Sequence, residues 1–323
     1  MADAALTPTP QPPKLRHLVW PFWNRGERRL RSGWRLLAFF GLLWISFAGL
    51  RAAGLGREQG STPVDAAPWR FLLQVSAVLL CTRLLDRQGL AELGLLPSRA
   101  WLADFAFGLL LGALLMSGVF GLQWAAGFVV VTDLLETPGD AGFAAAFMRL
   151  FGALVAVGFY EEIVARGYML RNLAQGLACR WLRPSVALLV ACVLSSAMFG
   201  LGHAGNPNAT LVSTLNVALA GGLLALPYLL TGRLALSIGL HITWNLFQGA
   251  VFGLPVSGMA LSTTTIAVSQ VGPPQVTGGA FGPEGGLSGL AAIAAGAGLV
   301  ALWTLHREGR VALHAPLAEA RRA

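Results

Sequence analysis

The sequence predicts an all-α, polytopic integral membrane protein, and three observations predict it. The 323-residue chain is 55% hydrophobic and only 12% charged, with a mean hydropathy of +0.64. Its apolar residues fall in stretches near the ~20 residues a helix needs to cross a bilayer. Of the 23 basic residues, 22 are Arg, and they collect at the edges of those stretches. A soluble domain of ordinary surface composition is excluded. The net charge of +8 and pI near 10.6 suggest nucleic acid at first sight. Cations clustered at span ends instead orient helices in a membrane, so no nucleic-acid partner is expected.

Residues 1–32 read as a cytoplasmic tail, proline-rich and nearly uncharged at first and then basic. No apolar core followed by a small-residue cleavage site is present, so the first span is expected to remain as an anchor. A helical membrane domain over 33–306 follows, with about eight spans near 34–52, 68–85, 101–131, 144–163, 185–204, 210–230, 233–253 and 286–305. A cytoplasmic tail over 307–323 ends the chain. The third span is too long for one straight crossing, which calls for tilt, a break or an extension into the outer interface.

Loop charges set the direction. Arg25, Arg28, Arg29, Arg31 and Arg35 precede the first span; Arg83, Arg87 and Arg99 follow the second; Arg166, Arg171, Arg180 and Arg183 follow the fourth. These loops, with Arg233 and the tail Arg307, Arg310, Arg321 and Arg322, belong inside, so both termini are cytoplasmic. The loops after spans three, five and seven hold Asp133, Glu136, Asp140 and Glu284 and no Lys or Arg. The first outer loop blurs the pattern, with Arg51, Arg57 and Arg70 against Glu58 and Asp65.

Cys81, Cys179 and Cys192 are too scattered for a disulfide framework or a cysteine metal site and read as packing residues. Gly108 and Gly112 make a Gly-x-x-x-Gly step in span three, and Gly221 with Gly222 offers a second point of close helix approach. No internal repeat is visible, which weighs against a paired-repeat transporter.

Ionisable groups within spans concentrate in three segments. In Glu161-Glu162-Ile163-Val164-Ala165-Arg166, residues four apart share a helix face, so Glu162 pairs with Arg166 while Glu161 points elsewhere. In Phe199-Gly200-Leu201-Gly202-His203 an aromatic and an imidazole stack one turn apart, and His241 and Asn245 share a face in the same way. Leaving these charged and imidazole groups isolated in hydrocarbon costs on the order of 10 kcal/mol, so convergence on one site is the economical reading. Two chemistries suit such a site. In one, Glu161, His203 and His241 hold a divalent metal such as zinc that activates water. In the other, Glu161 is a general base toward water, and His241 with Asn245 donates to the oxyanion.

The ordered triple of Glu-Glu-x-x-x-Arg, Phe-x-x-x-His and His-x-x-x-Asn on three spans resembles the CPBP family, which comprises the type II CAAX prenyl endopeptidases and the bacterial Abi proteins linked to bacteriocin processing or self-immunity. The resemblance covers residues 161–245 and implies a protease-like core over about 144–253. It also implies an intramembrane endopeptidase in which Glu161 activates water, Glu162 and Arg166 support it, His203, His241 and Asn245 complete the site, and Phe199 lines the pocket. The implied partners are the bilayer and a membrane-associated peptide or protein substrate. The Arg- and Ala-rich composition suggests a bacterial inner membrane. The competing readings are a catalytically silent membrane partner or self-immunity protein and, third, a small-solute or proton carrier.

Two further expectations concern depth and the last outer loop. Ending span four at residue 163 puts Glu161 near the cytoplasmic end and His203 near the far end of span five, about 20 Å apart in depth. The loop from Leu254 to Gly286 is expected to cover the outer mouth of the bundle without supplying a catalytic group, since Glu284 has no polar partner at helical spacing.

Overall fold

The computed structural model describes residues 22–24, 26–52, 67–139, 142–179 and 181–319. The expectations for residues 1–21, for Arg25, for the first outer loop with Arg57, Glu58 and Asp65, and for Asp140, Arg180, Arg321 and Arg322 lie outside the described residues. The helices are α1 (Ser32–Ala52), α2 (Ala67–Leu84), α3 (Arg99–Ala125), α4 (Phe143–Glu162), α5 (Arg171–Leu177), α6 (Pro184–His203), α7 (Leu211–Thr231), α8 (Ala235–Asn245) and α9 (Leu287–Glu308). A π-helical stretch, Ile163–Leu170, joins α4 to α5 without a break, and a second, Leu246–Val251, continues α8.

Among the described residues, six helical segments are long and apolar enough to cross a membrane: α1, α3, the continuous helix Phe143–Leu177, α6, α7 and α9. The second and seventh expected spans are present as α2 and α8, but these are shorter or less apolar than a full crossing requires. Trp44, Leu122, Val193 and Leu211 are exposed on the outside of the bundle on these helices. Such outward apolar faces suit contact with lipid, where the helix satisfies its own backbone polar groups.

The long third span resolves into two elements. α3 ends at Ala125, and Val129–Glu136 forms a strand, β1, that pairs antiparallel with β2 (Thr264–Gln270) from Val129↔Gln270 to Glu136↔Thr264, with an irregularity between Val131 and Asp133. The β-branched run Val129-Val130-Val131-Thr132 favours a strand once it leaves the helix. Two acidic loops are thus stitched together at one end of the bundle.

The opposite end is tied by buried ion pairs. Arg35 Nη1 meets Asp86 Oδ1 at 2.7 Å, Arg29 donates to the Asp86 carbonyl and to Gln175 Oε1, both at 3.0 Å, and Asn172 Nδ2 donates to Asp86 Oδ2 at 3.3 Å. Arg171 pairs with Glu92. Arg166 and Arg171 are therefore not loop charges: both are buried within the helix that runs on to Leu177. The first flank, the α2–α3 loop and the end of α5 nevertheless gather at one end of the bundle.

α8 lies in a trough of small residues. A Cβ on Gly108 would come within 2.4 Å of the Leu236 carbonyl oxygen, one on Gly112 within 2.3 Å of Thr243 Oγ1, and one on Gly158 within 2.6 Å of Ile242 Cγ1. The Gly-x-x-x-Gly step thus serves the close approach read from its spacing, and it carries α8 to the bundle axis. Cys81 and Cys192 are free thiols packed in or against the core, while Cys179 is free and exposed.

Candidate active site

The site forms because three helices, α4, α6 and α8, bring their polar residues to one height. The helix carrying Glu161 continues to Leu177 before turning into α6, so Glu161 stands mid-helix rather than at an end. Glu161 lies about 17 residues ahead of Ala178 and His203 about 20 beyond Arg183, which places them within about 5 Å of the same depth. The expected 20 Å mismatch is removed, and Ser195 Oγ donating to the Ala165 carbonyl at 2.8 Å fixes the pairing. α8 starts beside Gly167, whose Cβ would lie 3.1 Å from Leu234 Cδ1. One and a half to two turns along, His241 therefore stands level with Glu161.

Both π-helical stretches begin directly after site residues, one after Glu162 and the other after Asn245. Such widened turns recur at functional sites because they re-aim side chains without breaking the helix.

The two glutamates differ as their spacing predicts. Glu162 is fully buried; its Oε1 accepts from Arg166 Nη1 at 2.7 Å and from His241 Nδ1 at 2.8 Å. Arg166 also donates to the Gly221 carbonyl at 2.9 Å and lies 4.3 Å from the Phe199 ring centroid. The Gly221–Gly222 step thus lets α7 approach close enough to offer that carbonyl. Glu161 keeps 23% of its side chain exposed, and its nearest charged neighbour is His241 Nε2, 3.8 Å from Oε2. Sequence reasoning assigned Glu162 to Arg166 but missed that the same oxygen orients His241. That contact joins residues 79 apart and leaves no mark in local spacing.

The imidazoles are oriented by their second nitrogens. His203 Nδ1 lies 2.8 Å from the Phe199 carbonyl, which can only accept, so Nδ1 carries a proton and the neutral imidazole has its lone pair on Nε2. His241 Nδ1–H is committed to Glu162 in the same way. Phe199 does more than line a pocket: its ring stands 4.8 Å from that of His203 and 6.1 Å from that of His241, and it covers Arg166. Asn245 is buried, and among the described residues its side chain has no hydrogen-bond partner in the protein.

Two connected cavities share Glu161, Phe199, His203 and Asn245 as walls. The inner one, about 80 Å³, is also lined by His241, Ser257 and Glu284. At about 30 Å³ per water with two to four polar partners each, it suits two or three water molecules. The outer one, about 570 Å³, is mostly apolar, runs past Tyr160, Met169, Met198 and Met259, and has Arg70 on its wall.

Glu284 has no partner at helical spacing, as expected, but finds one far along the chain. It is buried, its Oε2 accepts from Ser257 N at 2.7 Å and Ser257 Oγ at 3.1 Å, and it faces the same inner cavity. Burial pushes its carboxyl above the ordinary value, opposed by the Ser257 bonds and by His203 and Gln248 nearby. Its partners are 27 residues away in the chain, so helical spacing could not reveal them.

Metal binding is less well served. Among the described residues, no group of three or more His, Cys, Asp or Glu side chains is arranged to hold a metal ion. Glu161, His203 and His241 share a cavity but do not form a preformed ligand set.

Fold and site together define a helical membrane protein with a water-sized polar cavity inside its bundle. Residues 143–247 match the family model described as type II CAAX prenyl endopeptidase Rce1-like. The match supports assigning the chain to the CPBP/CAAX protease family and, at the level of class, an intramembrane endopeptidase. No curated protein and no solved structure matches the chain.

Proposed function

We propose that the protein hydrolyses a peptide bond in a membrane-associated peptide or protein by means of water activated by Glu161. One observation carries this reading: Glu161 and Asn245, without side-chain hydrogen bonds to protein among the described residues, face an inner cavity of water size beside a larger apolar chamber. Glu161 and the His203 Nε2 lone pair hold the water, and Glu161 takes its proton. The hydroxide adds to the carbonyl carbon. The oxyanion receives the Asn245 amide and, when His241 is doubly protonated, the Nε2 proton; Glu162 beneath Nδ1 supports that imidazolium. As the C–N bond breaks, Glu161 returns its proton to the leaving nitrogen, giving a carboxylic acid and an amine, which then exchange a proton to become carboxylate and ammonium.

The apolar chamber suits a substrate segment entering from the bilayer. The basic end of the bundle faces the cytoplasm of a bacterial plasma membrane in this reading, from the Arg asymmetry of the loops. Because the side chains form no metal ligand set, no step runs through a metal. The test is cleavage of fluorogenic peptides by purified protein in lipid nanodiscs, wild type beside Glu161→Ala, with and without a chelator. Cleavage that needs Glu161 and survives the chelator supports the proposal. Equal signals from the two proteins sink it, and chelator-sensitive turnover returns the metal scheme.

A further inference from the structure

Besides the apolar face of α7, the inner cavity has a wall that the three sequence motifs do not supply. Val256, Ser257 and Met259, in a tight turn between α8 and β2, close it on the side of the acidic loops. That turn is held in a conformation it would not choose alone. Ser257 has φ +47°, in the left-handed region that costs a residue with a side chain, and Gly258 follows at φ +86°. Four contacts hold it: Asn206 Nδ2 donates to the Ser257 carbonyl at 2.9 Å, Gly258 N donates to the Phe281 carbonyl at 2.7 Å, and Ser257 gives both its N–H and its hydroxyl to Glu284. The segment bearing Glu284 is pressed close, since a Cβ on Gly282 would lie 2.0 Å from the Pro255 carbonyl oxygen.

Of these holding groups, Glu284 alone is a carboxyl, buried with no cation within ion-pair distance among the described residues. A carboxyl in such a place is expensive for a plain loop brace, which a neutral side chain would serve as well. Its location beside the polar groups of the inner cavity gives the expense a use.

We propose that Glu284 is a positioning residue of the site, holding the strained 256–259 turn through Ser257 as the wall that confines water beside Glu161 and Asn245. The importance of that wall for turnover rests on the hydrolytic reading; the clamp itself does not. Strain held by surrounding bonds is characteristic of functional loops, and its release moves the loop rather than the core.

The experiment is amide hydrogen exchange on the full-length protein in detergent micelles, following residues 254–262 together with α4, α6 and α8. Wild type is compared with Glu284→Leu, Ser257→Ala and Glu284→Gln. Glu284→Leu is expected to speed exchange at Ser257, Gly258 and Met259 by roughly ten- to hundred-fold, Ser257→Ala by less, and Glu284→Gln to restore most of the protection through its remaining oxygen acceptor. Exchange in α4, α6 and α8 is expected to stay as in wild type. Unchanged exchange of the turn in Glu284→Leu overturns the proposal. So does acceleration across all the helices, which marks a residue of general stability. In the peptide assay, Glu284→Leu is expected to lower kcat per folded molecule while KM holds. Wild type that cleaves nothing counts against the hydrolytic reading, and the exchange data then decide the clamp by themselves.

Discussion

Replacing Arg166 with alanine probes the support beneath the site. The guanidinium makes three contacts at once: the 2.7 Å pair with Glu162, the 2.9 Å bond to the Gly221 carbonyl and the face of Phe199 at 4.3 Å. Its loss leaves Glu162, fully buried, with His241 as its remaining partner. Breaking a buried pair by removing one member costs about 3–5 kcal/mol. The surviving His241 bond puts this case toward the lower end, and the lost carbonyl bond adds about 1 kcal/mol. The double variant Arg166→Ala with Glu162→Gln removes the stranded charge and keeps an acceptor for His241 Nδ1, so it is expected to be more stable than Arg166→Ala alone. The assay is a double-mutant cycle by equilibrium unfolding in mixed micelles, with monodisperse yield after size exclusion as a second readout. A coupling energy near zero, or Arg166→Ala unfolding with wild type, would refute the supporting role of the pair.

Three further outcomes are expected. Glu161→Gln should keep the fold, because among the described residues no protein group hydrogen-bonds its side chain, while lowering peptide turnover by about 10²–10⁴, read as kcat on protein of wild-type melting temperature. Asn245→Ala should lower kcat by about 10²–10³ with little change in KM, as expected for an oxyanion donor; a change confined to KM would make it a binding residue instead. Gly112→Ala should destabilise by about 1–3 kcal/mol, because its Cβ would meet Thr243 Oγ1 and the Leu240 carbonyl, whereas Gly118→Ala on the same helix, with nothing within 4 Å, should melt with wild type or slightly above it.

What could be read from the sequence followed from local periodicity. Apolar runs located every helix that shapes the site, and the pairing of Glu162 with Arg166 followed from one turn of helix. The convergence of Glu161, His203, His241 and Asn245 followed from the cost of isolating them. What could not be read depended on distant partners or on charges whose surroundings were unknown. Arg166 and Arg171, read together with Arg180 and Arg183, looked like a cytoplasmic loop because arginines gather at span ends; in the fold the first two are neutralised by Glu162 and Glu92, and the helix continues. That single misplacement produced the false depth gap between Glu161 and His203. The β1–β2 pairing joins loops more than a hundred residues apart, and Glu284 finds Ser257 only because that strand pair and the 279–285 turns fold the long loop back over the bundle.

The π-helical stretch Ile163–Leu170 makes the long helix a torsional link between two fixed ends. Upstream, Glu161 and Glu162 are aimed at the cavity; downstream, Arg171 and Asn172 are locked to Glu92 and Asp86. Removing one residue from the widened turn, with its winding kept, would rotate one end against the other by roughly 80°, less than the α-helical step because the turn is wider, so the chain could keep its polar cavity or its buried clasp at the basic end, but not both. A substitution that merely changes chemistry there leaves this phase intact, whereas a one-residue deletion of any composition resets it. The length of this segment thus carries information that its residue identities do not.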